Sequence, residues 1–102
     1  MVNQPRITGP TLKVLNAFFA SPRQELSGAE IGRETKLATG TLYPILLRLE
    51  RAGWLESHWE QGNPSALGRP RRRLYRITGV GVKNATEAVR EFAPDIGRRA
   101  WA

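Results

Sequence analysis

The sequence predicts a mainly α domain with a small β-hairpin, and three observations predict it. Apolar residues recur at spacings of three and four over the first half of the chain, the mark of helices with one buried face. Between Leu55 and Ile77 the period drops to two on either side of a stretch rich in Gly and Pro, the mark of two strands and a connecting loop. After Thr78 the helical spacing returns in one long segment.

A chain of 102 residues makes one domain, of a size that buries only about two thirds of its unfolded surface and is often stabilised by a second subunit. There is no cysteine, which excludes disulfides, thiolate catalysis and cysteine metal sites. No apolar run approaches a membrane span and Met1 to Arg6 lack a secretory core, so a cytoplasmic protein is expected. The net charge is +7, and thirteen of the sixteen basic residues are arginine, the side chain suited to forked contacts with phosphate and guanine. Five of them, Arg69, Arg71, Arg72, Arg73 and Arg76, fall within eight residues that contain no acid. A polyanion is the expected partner.

Residues 1–8 show no period and read as an N-terminal arm. Pro10 after Thr8 and Gly9 starts a first helix over residues 10–20, with Leu12, Leu15 and Phe19 on one stripe and Val14 and Phe18 beside it. Its apolar surface exceeds what a small core needs, which suggests a further contact. Ser21-Pro22 ends it. Ser27-Gly28-Ala29-Glu30 is a capping box opening a short second helix that ends near Lys36, with Ala29 and Ile31 inward. Leu37 to Thr39 then forms a tight turn, the spacing of a helix-turn-helix.

The central helix runs from Thr39 to Arg51 and is stopped by Gly53. Leu42, Leu46 and Leu49 form its buried stripe, while Thr41, Pro44, Leu47, Arg48 and Arg51 lie opposite with Tyr43 at the edge and Thr39 as N-cap. Periodicity alone fits an ordinary core helix. Pro44, however, sits inside the helix, where it removes a backbone hydrogen bond at a cost of up to ~3 kcal/mol. The Thr39-Gly40-Thr41 entry also presents free N–H groups, a seat for phosphate. Thr39, Thr41, Tyr43, Pro44 and Arg48 are therefore candidate DNA contacts.

Beyond Gly53, Leu55 to Glu60 and Arg73 to Ile77 alternate as strands, and Gln61 to Pro70 is a long hairpin loop. Arg69, Arg71 and Arg73 on its returning limb can reach a DNA backbone or minor groove; a charged edge that blocks strand addition is the plainer alternative. Thr78 caps a last helix to Ala93, ended by Pro94, whose seam of Val82, Ala85, Val89 and Phe92 suits a homodimer or docking on the chain's own core. Gly79 and Gly81 weaken its first turn. Residues 79–93 are read as a dimerisation helix and 94–102, with Arg98, Arg99 and Trp101, as a tail. The order is that of a winged helix-turn-helix, residues 9–78, plus a C-terminal dimerisation helix.

A lone His58 with no cysteine gives no metal site, and no acid pair, activated nucleophile or phosphate-binding Gly loop is visible. Neither an enzyme nor a cofactor is expected. Trp54, Trp59 and Trp101 are expected in core or interface positions, where paired tryptophans across a dimer could hold a flat apolar ligand.

Gly40-Thr41-Leu42-Tyr43-Pro44, followed by Leu46, Arg48-Leu49-Glu50 and Gly53, resembles the signature of the PadR family of bacterial winged-helix transcriptional regulators. So does Gly68-Arg69-Pro70 leading through Arg72-Arg73 to Tyr75-Arg76-Ile77-Thr78. The similarity covers residues 9–92. It implies a homodimeric repressor that binds a double-stranded DNA operator, with the Tyr-Pro helix in the major groove, the wing beside it, and release by a small aromatic or drug-like effector. Larger members carry a long C-terminal helical domain, whereas this chain has one helix there and resembles the small subgroup. The expectation is a sequence-specific regulator on a palindromic operator, against the alternative of a protein-interaction or nonspecific nucleic-acid scaffold.

Overall fold

The computed structural model describes residues 5–92, with the side chain of Phe92 outside that description. The start of the expected arm, Ala93 and the expected tail lie outside the described residues. Helix α1 spans Gly9–Phe19, strand β1 Leu26–Ser27, helix α2 Gly28–Thr35, helix α3 Thr39–Arg51, strand β2 Leu55–Trp59, helix α4 Pro64–Leu67, strand β3 Arg73–Ile77 and helix α5 Gly79–Phe92. The three strands form one antiparallel sheet in the order β1-β3-β2, with Leu55 opposite Ile77 and Ser57 opposite Tyr75.

Thr8 caps α1 by accepting the Thr11 N–H at 3.3 Å. The buried stripe of α1 is Thr11, Val14, Leu15 and Phe18, rotated from the expected one; Leu12 and Phe19 are only partly buried. Thr11 can enter the core because its hydroxyl lies 3.0 Å from the Thr8 hydroxyl and reaches the Arg6 carbonyl at 3.4 Å. Val14, Leu15 and Phe18 are used up in the chain's own core, so the apolar surplus read from the sequence is not an exposed face.

The capping box forms as expected: Glu30 N–H donates to Ser27 Oγ at 3.1 Å and Ser27 N–H to the Glu30 carboxylate at 3.0 Å. That second bond, more than any neighbouring charge, holds the Glu30 carboxyl below its ordinary value. Ile31 is buried, but Ala29 is exposed rather than inward, and Gly28 and Thr35 fill the inner face instead. Thr35 donates back to the Ile31 carbonyl at 2.7 Å, and Lys36 turns the chain in the left-handed region at φ 60°.

Helix α3 buries Leu42, Ile45, Leu46 and Leu49. It ends in a Schellman turn: Gly53, at φ 81°, donates to the Glu50 carbonyl at 3.0 Å, and Trp54 donates to the Leu49 carbonyl at 3.0 Å. This reversal drives Trp54 into the core at 1 % exposure. Its indole N–H finds no acceptor among the described residues.

Two elements escaped the pattern reading. Strand β1 has only two residues, too short for any period, and Ser27 serves at once as strand end and helix cap. Helix α4 lies within the expected loop, capped by Asn63 with Pro64 at its start and closed by Gly68 at φ 73°.

Helix α5 packs back on α1. Thr78 caps it, accepting the Gly81 N–H at 2.9 Å and donating to the Gly53 carbonyl at 2.7 Å. Gly81 does more than weaken a turn. A methyl there would lie 2.9 Å from Ile77 Cγ1 and closer still to the Trp54 carbonyl oxygen, so its absence lets α5 seat on the turn after α3. The expected dimer seam is corrected in part: Ala85 and Val89 are 0 % and 3 % exposed within the single chain, and Val82 packs against the same core. These residues meet the chain's own core, because the Thr78 cap and Gly81 turn α5 back onto the domain.

Candidate nucleic-acid interface

Four buried residues hold α3 against the core, and the opposite side is open. Thr39, Gly40, Thr41, Pro44, Arg48 and Arg51 are exposed, as are Tyr43 at 45 % and Leu47 at 47 %. The helix spans the expected residues, but its N-cap lies one residue earlier than expected. Ala38 is the N-cap, and its carbonyl accepts from Leu42 N–H at 2.9 Å, so Thr39 occupies the first helical position. Alanine has no capping group and no side chain satisfies the first turn, which leaves the Thr39 and Gly40 N–H groups without helical partners at the positive end of the dipole. Pro44 has no N–H to offer the Gly40 carbonyl. Around Gly40 there is open space, with nothing within 4 Å of where a Cβ would stand.

Tyr43 is more constrained than its exposure suggests. Its ring lies over Gly28 in the first turn of α2, where an added Cβ would collide with the phenol oxygen. Helix-turn-helix packing thus fixes the position of this side chain through a glycine on the other helix. The ring forms one wall of a cleft of about 490 Å³ lined also by Gly28, Trp59, Tyr75 and Arg71 to Arg73, which joins the exposed face of α3 to the hairpin.

The hairpin arginines divide sharply. Arg69 forks onto Glu60, with Nη1 to Oε1 at 2.6 Å and Nη2 to Oε2 at 2.9 Å. That pairing first, with the Arg72 backbone N–H behind it, holds the Glu60 carboxyl down to about 2. Arg73 turns toward the end of α3: its Nε donates to Ser57 Oγ at 3.0 Å, Ser57 donates to the Glu50 carboxylate, and the guanidinium sits 5.2 Å from the Trp59 ring centroid. Arg76 pairs with Glu56 across the two strands. Arg71 and Arg72 are exposed, and their side chains form no ion pair among the described residues.

The structure thus brings Thr39, Thr41, Tyr43, Pro44 and Arg48 onto one open face with Arg71 at its flank, while Arg69 and Arg73 are engaged within the hairpin. Three contributors escaped the sequence reading. Trp59 is 58 % exposed rather than in a core, because β2 runs past the core edge after Ser57. Arg72 stands in the arginine run of the sequence but is not among the candidate contacts, since nothing in the spacing sets it apart from its neighbours. Glu60 had a visible signal, a single acid facing a run of arginines across a loop.

A model of the PadR-like transcriptional regulator family matches residues 23–87. Among solved structures, the chain is similar to a disulfide-formed AbfR, a protein known from Staphylococcus epidermidis, at 28% identity and TM-score 0.66, covering 87% of this chain and 59% of that one. It is similar also to the PcaV transcriptional regulator of Streptomyces coelicolor, solved with its natural ligand, at 30% identity and TM-score 0.62, covering 81% of this chain and 52% of that one. The chain therefore spans little more than half the length of these two. A PadR family regulator from Eggerthella lenta shares the fold at 23% identity and TM-score 0.62, over 87% of this chain and 81% of that one. No curated protein matches the sequence significantly. Because the family match takes in both the helix-turn-helix and the hairpin, this chain belongs to the PadR-like family of transcriptional regulators.

Proposed function

We propose that this chain is a sequence-specific DNA-binding regulator that represses transcription as a homodimer on a palindromic operator and is released by a small aromatic or drug-like effector. The observation that carries the reading is the division of α3: one side is held by four buried apolar residues, and the other is open, polar and flanked by Arg71 and Arg72. A helix so presented suits the major groove, with base edges read by Thr41, Tyr43 and Arg48 and phosphates met by Thr39 and the hairpin.

Two modules a helical turn apart give the affinity that one lacks. With Ala85 and Val89 spent inside the chain, Phe92 is the seam residue to test for dimerisation: Phe92→Glu should give a smaller species by light scattering. The effector element is supported by PcaV, which is described with its natural ligand. Selection of sites from random duplexes at physiological salt tests the reading as a whole. An enriched inverted repeat is expected; a scaffold or nonspecific binder would return none.

A further inference from the structure

Glu60 is an acid placed among arginines on the side of the hairpin that the DNA reading turns toward a polyanion. Its own charge opposes that use, so its position calls for a different account. Both carboxylate oxygens are occupied from the returning limb. Oε1 accepts from Arg69 Nη1 at 2.6 Å and from the Arg72 backbone N–H at 3.3 Å, and Oε2 accepts from Arg69 Nη2 at 2.9 Å. The Glu60 N–H donates to the Arg72 carbonyl at 2.8 Å, and Arg69 Nη1 also donates to the Pro70 carbonyl at 3.2 Å. The paired residues sit astride the tip formed by α4, where the Leu67 side chain would lie 3.6 Å from a Cβ placed on Gly62. An arginine forked onto a carboxylate in this way has three of its five N–H donors committed within the hairpin and its charge offset by its partner, which makes it a poorer phosphate ligand than an arginine without an acid beside it.

Resting on the DNA reading above, we infer that Glu60 and Arg69 are positioning residues that staple the base of the wing, and that Arg71 and Arg72, held out by the staple, make the wing's phosphate contacts. A flexible hairpin carrying the same two arginines would have to be ordered on binding. The staple orders it beforehand. A partly exposed ion pair contributes little to global stability, so its effect is local: the register of Arg71 and Arg72 relative to α3.

The test measures affinity of the full chain for a mixed-sequence duplex across a salt titration, with amide hydrogen exchange followed on the same variants. Glu60→Ala and Arg69→Ala change the charge in opposite directions but remove the same staple. Each should weaken binding about three- to tenfold, the cost of ordering a few loosened side chains, with the salt dependence unchanged. The double variant should be no weaker than either single one. Arg71→Ala should instead lower the slope of log affinity against log salt by ~0.9. In both staple variants the Arg72 amide should exchange faster while that of Leu49 in the core is unaffected. Tighter binding by Glu60→Ala, a slope loss in Arg69→Ala, or unaltered exchange at Arg72 would each overturn the proposal. If the wild-type chain shows no salt-dependent binding, the DNA reading itself fails, and the staple is then judged on the exchange data alone.

Discussion

The phenol of Tyr43 rests on Gly28, so close that no other residue at position 28 leaves the ring where it is. The two helices of the helix-turn-helix are therefore registered at their exposed edge as well as through the core. Gly28→Ala should test this contact cleanly. The ring is at the end of a side chain that can swing outward, so the melting temperature should change little, while specific DNA affinity should fall toward that of Tyr43→Ala, by ~1 to 3 kcal/mol if one base contact is lost. Fluorescence anisotropy with a selected operator and a thermal melt measure the two effects separately.

Gly81 and Gly79 lie two residues apart on α5 and should respond in opposite senses. At Gly81 a methyl meets the Trp54 backbone carbonyl, which cannot move without disturbing the Schellman turn, so Gly81→Ala should cost ~1 to 3 kcal/mol. At Gly79 nothing lies within 4 Å, and alanine should be neutral or stabilising by up to ~1 kcal/mol. Urea denaturation of both variants checks the pair.

The rotation of α3 is tested by two adjacent leucines. Leu46 is 1 % exposed and Leu47 is 47 % exposed. Leu46→Ala should lose ~2 to 5 kcal/mol of stability through the cavity it leaves, and Leu47→Ala should stay within ~0.5 kcal/mol of wild type. Equal effects would mean the helix is turned differently.

These particulars show what was legible beforehand. The leucine stripe of α3, the capping box at Ser27 and the alternation of β2 and β3 were visible because each repeats a spacing set by backbone geometry. The stripe of α1 was misplaced because Thr11 counts as polar in a pattern yet is buried once its hydroxyl is bonded locally. The fate of the α5 seam depended on a close approach at Gly81, and spacing alone cannot distinguish a helix turned inward from one turned to a partner. The site followed the same rule: the open face of α3 was readable as the complement of its stripe, whereas the division of the wing arginines depended on which acids the fold brings beside them, Glu50, Glu56 and Glu60.

His58 provides a pH prediction. Its Nδ1 is bonded to the Trp59 carbonyl at 3.1 Å and its Nε2 to Glu25 at 2.6 Å, and these bonds, the carbonyl's first, raise the imidazole above its ordinary 6.5. With the folded value above the unfolded one, any stability from the Glu25–His58 pair is fully present below pH 6.5 and is lost as pH rises through the folded value. An NMR titration should place the His58 midpoint above 6.5, and Glu25→Gln should lower it.

The central claim is that the outward face of α3 reads DNA, and the double variant Thr41→Ala/Arg48→Ala addresses it most directly, since both residues are exposed and off the buried stripe. The decisive measurement is its affinity for a selected operator against that for a mixed duplex of the same length. If that claim holds, specific affinity drops by ~1 to 3 kcal/mol per lost base contact while the melting temperature is retained and most nonspecific affinity remains through Arg71 and Arg72. Undiminished preference for the operator in a folded double variant would contradict it.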